Sequence, residues 1–262
     1  MAIQWQEASQ TTSPSIRSSS GNNPWMAATI GLLGIIVGFG IGTWNGGGSA
    51  FGGAAQQVAQ APSAPTPSVP TPTPQPPAPS APVPPVDAKT DHIRGDLSKA
   101  TVAVIEYSDF ECPFSKRNHP TMQQITQDYG NKVAFVYRHF PLGFHANAEK
   151  EAEASECAND QGKFWQYHDA IFERTTSNGT GFALDKLVPL AKELGLNEAK
   201  FKNCLDTGKY TKHVQEQQTA GGAAGVNGTP GNFVLNLKTQ KSQALSGAQP
   251  FSAFKSAIDA AF

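Results

Sequence analysis

Val104-Ile105-Glu106-Tyr107-Ser108-Asp109-Phe110-Glu111-Cys112-Pro113-Phe114-Ser115 runs from an apolar strand straight into a cysteine followed by proline. Proline has a fixed φ suited to the first helical position, where its missing N–H costs nothing, so Pro113 places Cys112 at the mouth of a helix. There the unpaired N–H groups and the positive end of the helix dipole favour an anion. A thiolate is such an anion, and it is the nucleophilic form of cysteine. Cys112 is therefore the candidate reactive residue. An inert buried thiol is the plainer reading, since free cysteine is among the most buried residue types, but a core position has no need of the strand-Cys-Pro-helix order.

Working outward, Val102 to Tyr107 and Val133 to Tyr137 carry apolar residues at both parities, which predicts strands buried on both faces of a mostly parallel sheet. Between them a helix is predicted from Pro113 to about Asp128, with Met122 and Ile125 on its apolar face and a kink at Pro120. Strand, helix, strand in this order is a right-handed βαβ unit. The next stretch, from about 146 to 224, reads as helices at Ala148 to Asn159, Lys163 to Arg174, Leu184 to Leu194, Glu198 to Leu205 and Lys209 to Ala220, with stops at Gly162, Gly195 and Thr207-Gly208. It is too long for one crossover and reads as an inserted helical subdomain; a separate bundle after a complete domain would leave the sheet short of strands. Those strands follow at Asn232 to Asn236 and near Ala244-Leu245, joined by a turn at Leu237 to Gln240. A last helix opens at Pro250, and Phe251, Phe254, Ile258 and Phe262 recur along it at helical spacing, a face suited to covering the sheet.

Before this region the composition changes twice. Residues 1–24 are polar, with Glu7 and Arg17 the only charged side chains, and read as a disordered N-terminal tail. Residues 25–44 carry no charge and have Trp25 and Trp44 at their ends, which predicts a transmembrane helix, since about 20 apolar residues cross the hydrocarbon layer and aromatic rings favour its edges. The stretch is longer than a signal-peptide core and lacks a basic leader, so an uncleaved anchor is favoured over a cleaved signal. Arg17 and the N-terminal amine on one side, with no basic residue until Lys89 on the other, favour N-in, C-out. Gly34, Gly38 and Gly42 recur every four residues, which would admit a second helix, although glycine is common in membrane helices. Residues 45–90 form a Gly/Pro-rich linker, and polyproline II over Pro62 to Pro85 would reach roughly 70 Å. Residues 91–262 are left to carry the fold. The formal net charge is −1 and no basic stripe is present, so a nucleic-acid partner is not expected.

Several linked pieces resemble the thioredoxin superfamily, in particular its DsbA-like branch, the BdbD/DsbA-type thiol-disulfide oxidoreductases. They are Asp91-His92-Ile93-Arg94-Gly95, Glu106 to Pro113, Arg138-His139-Phe140-Pro141-Leu142, Gln161-Gly162-Lys163-Phe164-Trp165 and Gly228-Thr229-Pro230. The resemblance covers roughly Asp91 to Phe262. It implies an α/β thioredoxin-like fold with an inserted helical subdomain, here preceded by one transmembrane helix and a disordered Pro-rich linker. It implies a cis Thr229-Pro230 bond facing Cys112, with the Thr229 backbone alongside a bound substrate strand and Pro113 and Phe114 supporting the active site. Glu106 matches the buried carboxylate that DsbA-like proteins keep near the thiol; a proton relay and a merely solvated or paired carboxylate both fit its position. His119, His139, His145 and His168 form no metal-ligand spacing with the cysteines and read as surface or satisfied histidines, so neither a metal nor a cofactor is expected.

The chain departs from the branch at Ser115, where dithiol members carry their second cysteine. Serine cannot attack a mixed disulfide, so release must come from another thiol. The leading expectation is a membrane-tethered, extracytoplasmic exchange protein of a bacterial-type cell membrane, single-pass. It would act through Cys112 on protein disulfides as an isomerase or reductase, with Ser115 and Glu106 in the catalytic set. The expected partners are protein substrates with disulfides or thiols, together with a membrane redox partner or a small thiol. A non-catalytic client-binding module and a dithiol oxidase whose second cysteine has been replaced by serine are the alternatives. Three cysteines is an odd number. In an oxidising compartment that count predicts a structural disulfide between Cys157 and Cys204, with Cys112 left over; two inert buried thiols are the alternative.

Overall fold

Strand β2 (Val102–Ser108) is buried along its whole length and lies at the centre of a five-stranded sheet. The computed structural model describes residues 79–262, so the tail, the membrane helix and most of the linker expected from the sequence lie outside the described residues. Among the described residues no helix is long and apolar enough to cross a membrane. The other strands are β1 (His92–Arg94), β3 (Val133–His139), β4 (Gly231–Asn236) and β5 (Ser242–Ser246), in the spatial order β1-β3-β2-β4-β5.

Only β2 and β3 run parallel, in register from Val102 opposite Val133 to Ser108 opposite His139; β1, β4 and β5 pair antiparallel with their neighbours. The mostly parallel sheet expected from the sequence is therefore a mixed one. Apolar residues at both parities report burial on two faces, and an antiparallel strand covered on both sides carries the same pattern.

Side-chain alternation along β2 divides the core. Val102 and Val104 point to one face, where α1 (Pro113–Tyr129), α3 (Phe164–Arg174) and α7 (Phe251–Ala261) bury Met122, Ile125, Ile171, Phe254 and Ile258. Helix α1 runs unbroken through Pro120 to Tyr129. Of the apolar positions expected on the last helix, Phe254 and Ile258 are fully buried, whereas Phe262 is exposed. Ala103, Ile105 and Tyr107 point to the opposite face, where they meet Phe233, Leu235, Ala224, Val226 and Val83.

Val83 belongs to the segment expected to be linker, and residues 79–90 in fact pack against the domain. The Ser80 and Ala81 amides both donate to the Ala223 carbonyl at 2.9 Å. The Arg138 guanidinium donates to the carbonyls of Pro84 (3.0 Å) and Pro85 (2.9 Å) and is paired with Asp91 at 2.7 Å. Proline has no N–H but keeps its carbonyl, so a Pro-rich strand can still be held by a buried donor.

The insertion consists of α2 (Ala148–Asn159), α3, α4 (Leu187–Glu193), α5 (Glu198–Asp206) and α6 (Thr211–Ala223). The helix expected over Leu184 to Leu194 starts with a 3₁₀ turn at Leu184–Lys186. Asn197 caps α5 by accepting from the Lys200 amide at 2.9 Å, which satisfies one of the free N–H groups of its first turn. Cys157 on α2 and Cys204 on α5 form a disulfide, and Cys112 is the free cysteine among the described residues.

Candidate functional site

Cys112 occupies the N-cap of α1 in extended conformation, with Pro113 at the start of the helix. No side chain caps that end and its first turn holds no acidic residue, so the N–H groups at the helix mouth meet no competing carboxylate on their own helix. The thiol is 3 % exposed, and Sγ lies 3.2 Å from the Thr229 carbonyl oxygen across the gap between helix and loop. The Thr229–Pro230 peptide is cis. Thr229 Oγ1 has no partner among the described residues.

A groove of about 640 Å³ opens over this sulfur, walled by Phe114, Leu142, Phe144, His145 and the 246–249 loop. Phe114 is 52 % and Phe144 78 % exposed, so two aromatic side chains stand free on the rim of the site. The Arg117 guanidinium lies 4.9 Å over the Phe114 ring. Such a surface suits an extended peptide that brings an apolar side chain next to its sulfur.

Ser115 points the other way. It is fully buried, on the stripe of α1 that continues through Asn118, Met122 and Ile125, and its hydroxyl has no partner among the described residues. Asn118 reaches Glu106 on β2: its amide donates to one carboxylate oxygen at 3.1 Å, while Ser108 donates to the other at 2.6 Å. Burial pushes the Glu106 carboxyl up to about 7, against the pull of these hydrogen bonds. Glu106 thus lies on the sheet face beneath α1 and titrates near neutrality. Ser115 and Asn118 lead from the mouth of the helix toward it.

Two carboxylates that the sequence reading did not single out build the walls. Asp109 accepts from the amides of Glu111 (2.7 Å) and Leu142 (2.8 Å) and contacts His145 Nδ1 at 2.8 Å, which pins the 142–145 loop at the groove. Glu111 accepts from the amides of Gly181 (2.5 Å) and Phe182 (2.8 Å) and from the Thr175 hydroxyl (3.3 Å), while its own carbonyl takes the Asn178 amide at 2.8 Å. Asn178 also lines the groove. Behind Glu111 lies Glu151, whose oxygens find no donor among the described residues. Burial first, and then the neighbouring Glu111 carboxylate, pushes Glu151 up to about 11, so Glu151 keeps its proton. Burial acts upward on Glu111 too, but the neutral Glu151 carboxyl beside it and the two backbone donors outweigh it and lower the Glu111 carboxyl below its ordinary value.

The histidines expected at the surface or in satisfied positions are mostly buried, and only His145 reaches the groove. Among the described residues two groups bring imidazoles and a carboxylate within ligand distance of one another: His92, His139 and Glu156, and His119, His168 and Asp169. Neither group lines the groove.

A family model described as Thioredoxin matches residues 87–260. Among curated proteins, a Na(+)/H(+) antiporter NhaA 1 of Salinispora arenicola is 35 % identical over 168 residues, which is 63 % of this chain and 25 % of that protein. A Na(+)/H(+) antiporter NhaA of Herminiimonas arsenicoxydans is 33 % identical over 150 residues, 57 % of this chain and 23 % of that protein. The chain thus spans about a quarter of the length of these relatives. Among solved structures, Pseudomonas aeruginosa DsbA2 has a TM-score of 0.56 at 28 % identity and covers 64 % of this chain and 93 % of its own. BdbD from Bacillus subtilis, with a TM-score of 0.58 at 21 % identity and coverage of 70 % and 98 %, shares the fold.

Proposed function

We propose that this chain, which belongs to the thioredoxin family and within it to the DsbA-like proteins, is a monothiol exchange protein tethered at the outer face of a membrane. The observation that carries the reading is the distribution of sulfur. One thiol sits at a helix N-cap beside the Thr229 carbonyl, serine stands where a second active-site thiol would be, and the other two cysteines are bonded to each other.

In the proposed reaction the Cys112 thiolate attacks one sulfur of a substrate disulfide. A Cys112–substrate disulfide forms, the substrate S–S bond breaks, and the second substrate sulfur leaves as a thiolate that takes up a proton. The helix N-terminus favours the attacking anion and the Thr229 carbonyl lies alongside the sulfur where a substrate strand would dock. Glu106, titrating near neutrality, is suited to exchanging a proton with the site through the polar groups on the inner face of α1. The intermediate is resolved by a different thiol of the substrate, which forms a new substrate disulfide and frees Cys112, giving isomerisation, or by a small external thiol that attacks the Cys112 sulfur and releases the reduced substrate, after which a second small thiol frees Cys112 and leaves as the small-molecule disulfide, giving reduction.

Membrane tethering rests on the uncharged span 25–44, and it is in keeping with the occurrence of a domain similar to this one within proteins named as Na(+)/H(+) antiporters. Retention of the chain in the membrane fraction after salt and alkaline washing tests it; release as a shortened soluble chain contradicts it. The exchange activity is tested by recovery of a scrambled, disulfide-bonded model protein in a thiol buffer. Recovery that depends on Cys112 supports the proposal, whereas stoichiometric capture of client without turnover points to a binding module.

A further inference from the structure

Glu156, on the inward side of α2, is 2 % exposed, and its ion-pair partners are imidazoles rather than lysine or arginine. Its Oε1 lies 2.7 Å from Nε2 of His92 on β1, 3.0 Å from Nε2 of His139 at the end of β3 and 3.4 Å from Nε2 of His213 on α6. A carboxylate oxygen offers about two lone-pair directions, so three imidazole N–H groups cannot all be well served by this one atom. The rings are nevertheless held in place. His92 stacks on Phe164 with centroids 3.4 Å apart, and His139 stands edge-on to Tyr137 and Phe164. Among the described residues His139 Nδ1 is buried without a partner, and hydrogen bonding orients this ring from its Nε2 end.

Imidazole nitrogens and a carboxylate are zinc ligands at about 2.0–2.2 Å, and the edges of a tetrahedron with such bonds are about 3.3 Å long. The His92 and His139 nitrogens lie 2.7 and 3.0 Å from Oε1, hydrogen-bond lengths that a small outward shift would open to such an edge, and the ligand atoms of His92, His139 and Glu156 all lie within 4.8 Å of one another. We propose that His92, His139 and Glu156 form a binding site for a divalent first-row transition cation, zinc by its donor set, with water as the fourth ligand.

The second histidine group makes the contrast. There Asp169 is already held by both contacts of the Arg94 guanidinium, at 2.7 and 2.9 Å, and that fixed positive charge opposes a cation. A surface cavity of about 350 Å³ reaches His92, the ligand nearest solvent, while a second of about 330 Å³, lined by Asp91, Arg138, His213 and Glu216, touches none of the three proposed ligands. A bound cation would tie β1 and β3 at the sheet edge to α2 of the insertion. It would therefore act as a cross-link of the fold, independent of thiol exchange at Cys112.

The test is titration of the purified, tag-free full chain in detergent with Zn²⁺ against a chromogenic chelator, alongside the cobalt(II) absorption spectrum of the same protein. The expected result is one Zn²⁺ per chain and a raised thermal midpoint. Cobalt should show the d–d bands of an N/O site without a thiolate charge-transfer band. Cys112→Ser should leave the affinity unchanged, and His92→Gln should lower it by about 100-fold or more. No stoichiometric binding, a thiolate charge-transfer band in the wild type, or affinity lost in Cys112→Ser and kept in His92→Gln overturns the proposal. The wild-type spectrum decides the matter even if the histidine variant fails to fold.

Discussion

The mouth of α1 and the α2–α5 contact both bury sulfur, and burial does not tell them apart. Cys112 is 3 % exposed, Cys157 1 % and Cys204 6 %. The difference lies in what each atom faces. Cys157 and Cys204 face each other across two packed helices, so each sulfur's partner is fixed within the chain. Cys112 faces a backbone carbonyl, an uncapped helix end and a groove rimmed by free aromatic rings, all of which accommodate a sulfur arriving from outside. In the function proposed above, reactivity is set by the surroundings of a thiol rather than by its exposure.

The largest effect that would sharpen this contrast is on turnover. Cys112→Ala should reduce disulfide exchange to the uncatalysed rate, while the double variant Cys157→Ala/Cys204→Ala should keep exchange at a temperature where it remains folded. Scrambled-substrate recovery measures both, and activity that survives loss of Cys112 would break the comparison. Ser115→Cys should blur the two regions by giving the α1 mouth an internal partner. A free-thiol count in oxidising buffer should then show a 112–115 disulfide, with dithiol oxidation of reduced substrates appearing in parallel.

On stability the ordering reverses. Removing the Cys157–Cys204 bridge, which spans 47 positions, should destabilise the fold by about 4 kcal/mol in the chain-entropy account, read as a lower denaturation midpoint. The rate of Cys112 alkylation in the folded protein should be unchanged. The effect of Glu106 is smaller and depends on pH. Its carboxyl titrates near 7 in the folded chain against 4.5 ordinarily, so the native state keeps a proton that the unfolded chain has already released. The stability linked to that proton is fully present below pH 4.5 and is lost as pH rises to about 7, a change of about 3 kcal/mol. Glu106→Gln removes this dependence. Relative to the variant, the wild type should lose stability over that window, and parallel profiles would show that Glu106 is not proton-linked.

The elements that carry Cys112 were legible because their signals are local. Apolar runs mark β2 and β3, Pro113 marks the helix start, and Gly162 and Gly195 mark breaks in the insertion. Strand β1 was not legible as a strand: it has three residues, two of them His92 and Arg94, and its conformation is set by pairing with β3. Residues 79–90 carry the composition of a linker, and what turns them into part of the fold is distant in sequence: the Ala223 carbonyl, the core around Val83 and Arg138 beneath the Pro84 and Pro85 carbonyls. Asp109 and Glu111 lie inside the quoted motif, but their partners outside it are 33 to 71 positions away, so nothing local announces that they hold the groove walls. The same distance hid the convergence of His92, His139 and Glu156. Spacing from the cysteines has no bearing on a cluster formed when an insertion folds back onto a sheet edge.

The most direct test of the central claim is the fate of the intermediate formed when the full chain, with Cys112 as its free thiol, meets a single-cysteine peptide activated as a mixed disulfide with 2-thiopyridine, whose leaving group does not attack back. Mass mapping without reduction should find Cys112 joined to the peptide sulfur, the 157–204 bridge intact, and the adduct stable until a small thiol is added. Spontaneous release of the peptide with Cys112 bridged to Cys157 or Cys204 would contradict the account, because the chain would then hold its own resolving thiol.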